Sequence, residues 1–345
     1  MFRFLIGAAL IAIISGAGVA RAETYAAARV DIANAAIQLH VIPEARTDIA
    51  MQVAPNARFP AISARVINGR LVVDGGLRNR VHGCGSWNLF ANSREQNIMI
   101  FGLGSVPQHA LPTVTLRVPR DLDLTAAGAV FGDVGASAGG RLSFDGCGRM
   151  AVDASAGALD VMQNGSGDLD VASVGGALRV RLNGSGDVRA VSAGAGVQAE
   201  LVGSGNLMVA SMSGPLTARL DGSGDLHVGG TASGANLDLQ GSGDVAIGAV
   251  SGPLRAHLDG SGNLGIASMT GGQADLVLNG SGDLIVNGGT ADRLAARQSG
   301  SGDIRFHGHA VALDADLGGS GDIYVADAGQ TSIRDHGSGS VRVGH

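Results

Sequence analysis

A short phrase, Gly-Ser-Gly followed in most copies by Asp or Asn, returns at almost constant spacing from about Gly146 to the end of the sequence. The steps between its serines are 19, 19, 19, 19, 19, 20, 20, 19 and 18 residues. A repeat of nearly fixed length is typical of a solenoid, in which each unit forms one coil that packs on its neighbours. The ten serines are Ser166, Ser185, Ser204, Ser223, Ser242, Ser261, Ser281, Ser301, Ser320 and Ser338.

Each unit predicts two short strands joined by tight turns. The residue after the Asp position and the residue two further on are apolar in every unit, while the residue between them varies, as in Leu169-Asp170-Val171. Leu178, Val180 and Leu182 alternate in the same way later in the unit. An apolar period of two indicates a strand with one buried face. We expect the glycines of the turn to have positive φ, which glycine adopts without steric cost.

These units predict an all-β fold, a parallel β-solenoid over residues 141–345. Each strand would stack on the same strand of the next coil, so ten coils would form a rod about 48 Å long. Residues 23–140 keep the period of two without the regular repeat, which predicts either irregular first coils or a β cap. An end without a cap presents unpaired strand edges, so end-to-end self-association is the alternative there. Asn68-Gly69 between two apolar runs predicts a hairpin turn.

The first 22 residues are typical of a secretory signal peptide. A basic start precedes the apolar run from Phe4 to Val19, and Ala20-Arg21-Ala22 fits a cleavage site. We therefore expect an exported protein that is periplasmic, exposed on the cell surface or secreted; a retained membrane anchor is the alternative. No second apolar run of spanning length follows, so we expect no transmembrane segment in the mature chain.

The charge of the mature chain disfavours nucleic acid as a partner. Cleavage after Ala22 would remove two of the 24 basic residues and leave 22 against 30 acidic ones, a net charge near −8. The sequence contains no lysine and no basic cluster. Binding to nucleic acid depends on positive charge placed against phosphates, so we expect no such partner.

The two cysteines, Cys84 and Cys147, both stand in the phrase Gly-Cys-Gly. Cysteines of exported chains often pair, and a disulfide requires Cα atoms within about 7 Å of each other. The sequence therefore predicts either a Cys84–Cys147 disulfide or two buried, unpaired thiols.

The acidic residue after each Gly-Ser-Gly forms a column along the predicted solenoid. Stacked carboxylates repel one another unless a cation or a hydrogen bond relieves them, so calcium is one hypothesis. In the calcium-binding solenoid repeat, however, the Asp stands two residues after the last glycine, whereas here it follows immediately. Asn206 and Asn263 replace it and keep only the side-chain oxygen, which favours a structural role in bonding amides of the residue's own turn. The column contains Asp168, Asp187, Asp225, Asp244, Asp283, Asp303 and Asp322.

The sequence predicts no catalytic residue, no metal site and no cofactor, with calcium as the alternative. A serine nucleophile needs a base within hydrogen-bond reach, and no histidine recurs beside the serine column. His307 and His309 stand close together, but no third metal ligand is evident beside them.

The Gly-Ser-Gly-Asp-Leu phrase at 19-residue spacing, together with "VTLRVPRDLDL" at residues 114–124, resembles a known bacterial family. That family is the auto-transporter adhesin, head GIN domain, and related adhesin-like β-strand-repeat proteins are similar to this chain as well. The resemblance covers residues 141–345 well and the N-terminal part weakly. It implies a right-handed parallel β-helix in an exported protein with a role in adhesion, and it brings no catalytic residues.

The favoured hypothesis is an exported, non-enzymatic interaction or structural protein whose outward side chains meet an envelope or surface polysaccharide or protein. The alternative is a polysaccharide lyase or hydrolase, because many β-helices cleave acidic polysaccharides. Such a site would need long irregular loops. The candidate loops are residues 76–97, with Trp87, Arg94 and Glu95, and residues 103–113, with His109.

Overall fold

The computed structural model describes residues 22–85 and 96–344. The predicted signal peptide, residues 1–22, lies outside these residues except for Ala22. Within the described ranges the chain forms strands and two short 3₁₀ helices, at Arg78–Arg80 and Gln108–Ala110. The strands of the N-terminal part are β1 (Glu23–Tyr25), β2 (Arg29–Glu44), β3 (Ile49–Ala54), β4 (Ser63–Ile67), β5 (Arg70–Asp74), β6 (Val81–Gly85), β7 (Asn97–Ile100), β8 (Gly104–Pro107), β9 (Thr113–Pro119) and β10 (Asp121–Val134).

The repetitive part continues with two strands in nearly every coil. These strands are β11 (Gly139–Phe144), β12 (Cys147–Val152), β13 (Leu159–Gln163), β14 (Asp168–Val174), β15 (Leu178–Leu182), β16 (Val188–Ala193), β17 (Val197–Leu201), β18 (Leu207–Met212), β19 (Leu216–Leu220), β20 (Leu226–Ala232), β21 (Ala235–Leu239), β22 (Val245–Val250), β23 (Leu254–Leu258), β24 (Leu264–Thr270), β25 (Gln273–Leu278), β26 (Leu284–Val286), β27 (Gly289–Gln298), β28 (Ile304–Leu317), β29 (Ile323–Asp335) and β30 (Val341–Val343).

The strands pair in parallel with the equivalent strands of the next coil, which confirms the β-solenoid. Leu159 of β13 pairs with Leu178 of β15, and Leu178 pairs in turn with Val197 of β17. The solenoid has about 12 turns, two more than the ten serine phrases predict. At a strand spacing of about 4.8 Å its length is about 58 Å.

The additional turns come from the N-terminal part of the chain. β10 pairs in parallel with β11 and β12 on one edge and with β2 on the other. The parallel ladder therefore crosses the boundary at residues 140 and 141 that the repeat predicts. β2 and β10 therefore form the first coils of the solenoid.

The same N-terminal part also covers the end of the solenoid. β5 and β9 pair with the outer edge of β2, and β4 and β3 then add to them in antiparallel fashion. The β4–β5 hairpin turns at Asn68 and Gly69, which have φ values of 51° and 74°. The hairpin predicted at these two residues is confirmed, and its positive φ values fit a two-residue turn.

A small antiparallel sheet of β6, β7 and β8 lies beside the first coils. Ile98 and Ile100 of β7 pack with Phe131 of β10 in a hydrophobic cluster of their own. A disulfide between Cys84 and Cys147 joins β6 to the start of β12, with a Cα–Cα distance of 5.6 Å. Packing and covalent linkage together attach this sheet to the side of the solenoid.

The core consists of in-register columns of apolar side chains. Leu169, Val171, Leu178, Val180 and Leu182 are each at most 2% exposed, as the period of two predicts. The period does not predict the column that contains Val174, Ala193 and Met212, because two outward residues separate it from the column before. This column lies where each first strand bends toward the second, and its members are also buried.

Two glutamines replace leucine in the buried column that contains Leu182, and their side chains form hydrogen bonds with carbonyls of the Gly-Ser-Gly turns. Gln163 pairs with Leu182, and its Nε2 donates to the carbonyl of Gly167 at 2.7 Å. Gln298 is equally buried and donates to the carbonyls of Gly300 and Gly302, both at 2.8 Å. Each glutamine therefore adds a hydrogen bond between the core and the Gly-Ser-Gly edge.

The glycines of that edge are required by coil-to-coil contact. None of them has a φ in the left-handed range, so the reason that the sequence indicated was wrong. A Cβ on Gly184 would lie 1.8 Å from the carbonyl oxygen of Gly165, and a Cβ on Gly222 would lie 1.9 Å from that of Gly203. Real Cβ atoms never approach an oxygen so closely, so any larger residue would push two coils apart.

We expect Gly222→Ala to lower the free energy of unfolding by about 3 kcal/mol or more, because the added methyl group meets backbone atoms that cannot move away. Ser223→Ala is the matched control, since the Ser223 side chain is exposed, and we expect it to change stability by less than about 0.5 kcal/mol. Urea unfolding followed by circular dichroism measures both. Equal stability of the two variants would contradict the close contact.

Candidate functional site

The acidic column forms a continuous hydrogen-bonded ladder between coils. Oδ1 of Asp225 accepts a hydrogen bond from the backbone N–H of Asp244 at 2.9 Å, and the N–H of Asp225 donates to Oδ1 of Asn206 at the same distance. The sequence predicted that each side-chain oxygen would accept a hydrogen bond from an amide of its own turn. In the structure the amide that donates belongs to the next coil. The acceptors, at 2.7–3.2 Å, are Asp168, Asp187, Asn206, Asp225, Asp244, Asn263, Asp283, Asp303 and Asp322.

Arginines of the neighbouring outward column offset part of the negative charge of this ladder. Arg189 pairs with Asp187 at 2.6 Å. Arg305 contacts Asp283 at 2.9 Å and also forms a short ion pair with Asp303. Residues 22–85 and 96–344 contain no group of three or more His, Cys, Asp or Glu side chains placed to hold a metal ion. Calcium binding by the column remains a hypothesis.

We expect Asp225→Asn to leave the urea midpoint nearly unchanged, because asparagine keeps the oxygen that accepts the Asp244 amide. Asp225→Ala removes that acceptor, so we expect it to cost about 1 kcal/mol. Unfolding of both variants with and without added calcium tests the two hypotheses for the column. If calcium raises the urea midpoint of the parent protein and Asp225→Asn abolishes that increase, the result would support calcium binding by the column instead.

The ladder ends at Ser340, which replaces the acidic residue in the last described coil. Its backbone N–H and its hydroxyl both donate to Oδ1 of Asp322, each at 2.9 Å. The Ser340 hydroxyl bond, followed by its backbone N–H bond and the charges of Arg342 and Arg305, lowers the pKa of Asp322 below its ordinary value of 3.8. The ionised carboxylate is therefore the form that the fold favours.

Ser340→Ala should raise the pKa of Asp322 toward its ordinary value, because the hydroxyl is the largest cause of the shift. A lowered pKa adds stability above the unfolded-state pKa, and this stability is lost as the pH falls through the folded-state pKa. Carboxyl NMR titration of parent and variant measures the change. An Asp322 pKa that is the same in both would contradict the hydrogen bond.

A second polar row precedes the glycines on the same edge. Nδ2 of Asn183 donates to Oδ1 of Asn164 at 2.8 Å, and Asn164 in turn donates to Asp145. The serines lie exposed between the two rows. A shallow groove of about 800 Å³ follows this edge between Asp259 and Ser338. The edge thus presents a row of serine hydroxyl groups between two rows that consist mostly of amide and carboxylate side chains.

The outward face of the second strands has ion pairs that run from coil to coil. Arg181 pairs with Glu200 at 3.2 Å, and Arg219 pairs with Asp238 at 2.6 Å. Nε of Arg179 donates instead to the neutral Gln198 at 2.9 Å. Exposed pairs of this kind add little stability.

The loops that the enzyme alternative required lie only partly within the described residues. Trp87, Arg94 and Glu95 lie outside them. Residues 103–113 are mostly ordered as β8 and the following 3₁₀ helix, with His109 exposed on that helix. The two histidines that could have shared a metal face different partners. His309 lies 2.7 Å from Asp327, and the His307 ring packs against Tyr324 at 5.4 Å between centroids.

A cleft of about 390 Å³ lies where the small sheet meets the edge of the first coils. Its lining includes Asn34, Arg78, Asn79, His82 and Asp145. Sequence reasoning missed this cleft, because its walls come from four segments that are distant in the sequence, around Asn34, Arg78, Gly128 and Asp145. No periodic signal in the sequence brings those segments together.

Parallel ladders, a glycine edge and polar rows in register define the chain as a β-solenoid with long, regular outward surfaces. Among residues 22–85 and 96–344, no helix has the length and apolar character to span a membrane. The chain belongs to the family "Putative auto-transporter adhesin, head GIN domain", whose model matches residues 59–232 and 250–345.

Other comparisons add little to this assignment. No curated protein matches the chain. The crystal structure of a protein described as a "putative adhesin" from Bacteroides fragilis matches with 14% sequence identity over 93% of this chain and 95% of that one, at a TM-score of 0.18. Because the two structures superpose poorly at this score, the likeness supports no conclusion about this chain.

Proposed function

We propose that the protein is an exported, non-enzymatic, adhesin-like protein that binds an envelope or surface polysaccharide or protein through the outward side chains of its solenoid. Membership of the adhesin family supports this function. The observation that carries it is the presence of outward rows that repeat in register along about 12 turns. The partner is a polymer or surface that can meet several coils at once.

Repetition is the physical basis of such binding. Equivalent positions of successive coils lie about 4.8 Å apart, so the serine row of the turn edge offers a hydroxyl group many times along one line. A partner with repeated groups can engage several of these positions, and each further contact then forms at a high effective concentration. Weak single contacts therefore add up to stable attachment without a deep pocket.

The engagement of the carboxylates also favours binding over catalysis. Glycoside cleavage uses two carboxyl groups that face one another across the scissile bond. The aspartates of the ladder instead line up along one edge, and each accepts a backbone hydrogen bond from the next coil, as Asp244 does from Asn263 at 2.8 Å. These carboxylates contribute to the stacking of coils.

Export follows from the same proposal. The signal peptide predicted at residues 1–22 and the family name both fit a protein that acts outside the cytoplasm. A location in the periplasm, at the cell surface or in the medium would place the solenoid next to envelope polysaccharides and proteins.

Co-sedimentation of residues 23–345 with cell-envelope and exopolysaccharide fractions tests the function, with an assay of the supernatant for new reducing sugar ends. We expect the protein to pellet with at least one fraction and to release no sugar ends. A sample without the fractions controls for self-pelleting. New sugar ends would indicate a polysaccharide lyase or hydrolase, and failure to pellet with any fraction would contradict the binding function.

A further inference from the structure

The cleft beside the small sheet combines two rigid walls with several polar groups that converge on one space. One wall is formed by the 3₁₀ helix Arg78–Arg80 and by β6, and the other by Asn34, Gly128 and residues 145–147. Concave sites with a few converging polar groups are the usual form of small-ligand sites. The cleft lies beside the first coils and not on the regular outward faces of the solenoid.

Covalent and backbone constraints hold these walls in place. The Cys84–Cys147 disulfide links β6 to the coil edge, and Cys147 itself lines the cleft. The carbonyl of Asn34 accepts a hydrogen bond from the N–H of Leu77 at 2.9 Å, directly before the 3₁₀ helix. Asn34 and Arg78 have φ values of 52° and 46°, in the left-handed region that asparagine tolerates but arginine seldom adopts. A site held in this way loses little conformational freedom when a ligand binds.

The charge of Arg78 is available in the cleft. Among residues 22–85 and 96–344, no carboxylate lies within ion-pair distance of Arg78, whereas most arginines of the repetitive coils pair with an Asp or Glu. Asp145 on the opposite wall accepts hydrogen bonds from the Ser143 hydroxyl at 3.0 Å and from Asn164. The cleft therefore presents a free cation opposite a carboxylate that is already hydrogen-bonded.

We propose that this cleft binds an acidic sugar residue of a surface polysaccharide, with the sugar carboxylate on Arg78. A guanidinium group binds a carboxylate in a two-pronged geometry. Asp145 would repel a phosphate dianion more strongly than a singly charged carboxylate. The Asn34 amide nitrogen donates to Asp74 at 3.3 Å, and its amide oxygen, the amide of Asn79 and the His82 ring provide donors and acceptors for sugar hydroxyl groups.

An aromatic surface next to the cleft fits the rest of such a sugar. Phe101 is 71% exposed, and its ring meets His82 edge to face at 6.3 Å between centroids. The apolar face of a sugar ring packs well on an exposed aromatic ring of this kind. This inference deepens the proposed function and rests on it, because it names the chemical class of the polysaccharide and the place where it binds.

Calorimetric titration of residues 23–345 with trigalacturonate tests the site, with a neutral trisaccharide of the same linkage as the comparison ligand. Arg78→Gln removes the charge and keeps a polar side chain, and we expect it to weaken trigalacturonate binding about tenfold or more. Arg65→Gln is the matched control, because Arg65 is exposed on β4 outside the cleft and has no ion pair among the described residues. Thermal unfolding checks that both variants fold like the parent.

Selective loss in Arg78→Gln, with no binding of the neutral trisaccharide, would support the site. Absence of trigalacturonate binding, equal weakening in the two variants, or equal binding of the neutral sugar would overturn it. Pelleting with envelope fractions separates the two proposals. A protein that pellets but ignores trigalacturonate keeps the general function and loses this site, whereas one that binds trigalacturonate through Arg78 but never pellets keeps the site and loses the function.

Discussion

The structure depends on one contact, the approach of each turn glycine to the glycine carbonyl of the coil before it. The carbonyl of Gly165 accepts hydrogen bonds from the N–H groups of Ser185 at 3.0 Å and Gly186 at 3.4 Å, so the turn continues the ladder. A side chain at Gly184 would occupy that same space. Because the backbones touch, equivalent residues of successive coils must align. The core columns, the Asp and Asn ladder and the outward ion pairs all follow from that alignment.

Periodicity in the sequence reveals which residues share a column, but it does not reveal which atoms meet. The period of two correctly places Leu169 and Val171 in the core and predicts the parallel β-solenoid. It misses the Val174 column because a bend breaks the alternation there. The sequence also led to the wrong prediction that the turn glycines have positive φ. A positive φ and a close backbone contact both require glycine, so the sequence alone does not distinguish them.

The polar groups show the same limit. Asparagine at positions 206 and 263 indicates that an oxygen is needed, yet nothing in the sequence shows that the donor belongs to the next coil. Gln163 and Gln298 read as interruptions of a leucine column, whereas in the fold they bond the turns from inside. The sequence could not predict the cleft, because Asn34, Arg78 and Asp145 come together only through the N-terminal cap, which has no repeat. The cysteines were recognisable as a candidate pair because both stand in the same short phrase.

The two longer units show how this architecture absorbs change. Between Ser261 and Ser281 the extra residue falls in the turn at Gly271 and Gly272, and the ladder bond from the Asp283 amide to Asn263 stays at 2.9 Å. Coils of 18, 19 and 20 residues therefore all keep the ladder bond to the next coil. A whole unit could be gained or lost by duplication or deletion while its neighbours rejoin through identical bonds. The length of the solenoid can therefore change in evolution in steps of about 4.8 Å, one per unit, while the N-terminal cap and its cleft stay unchanged.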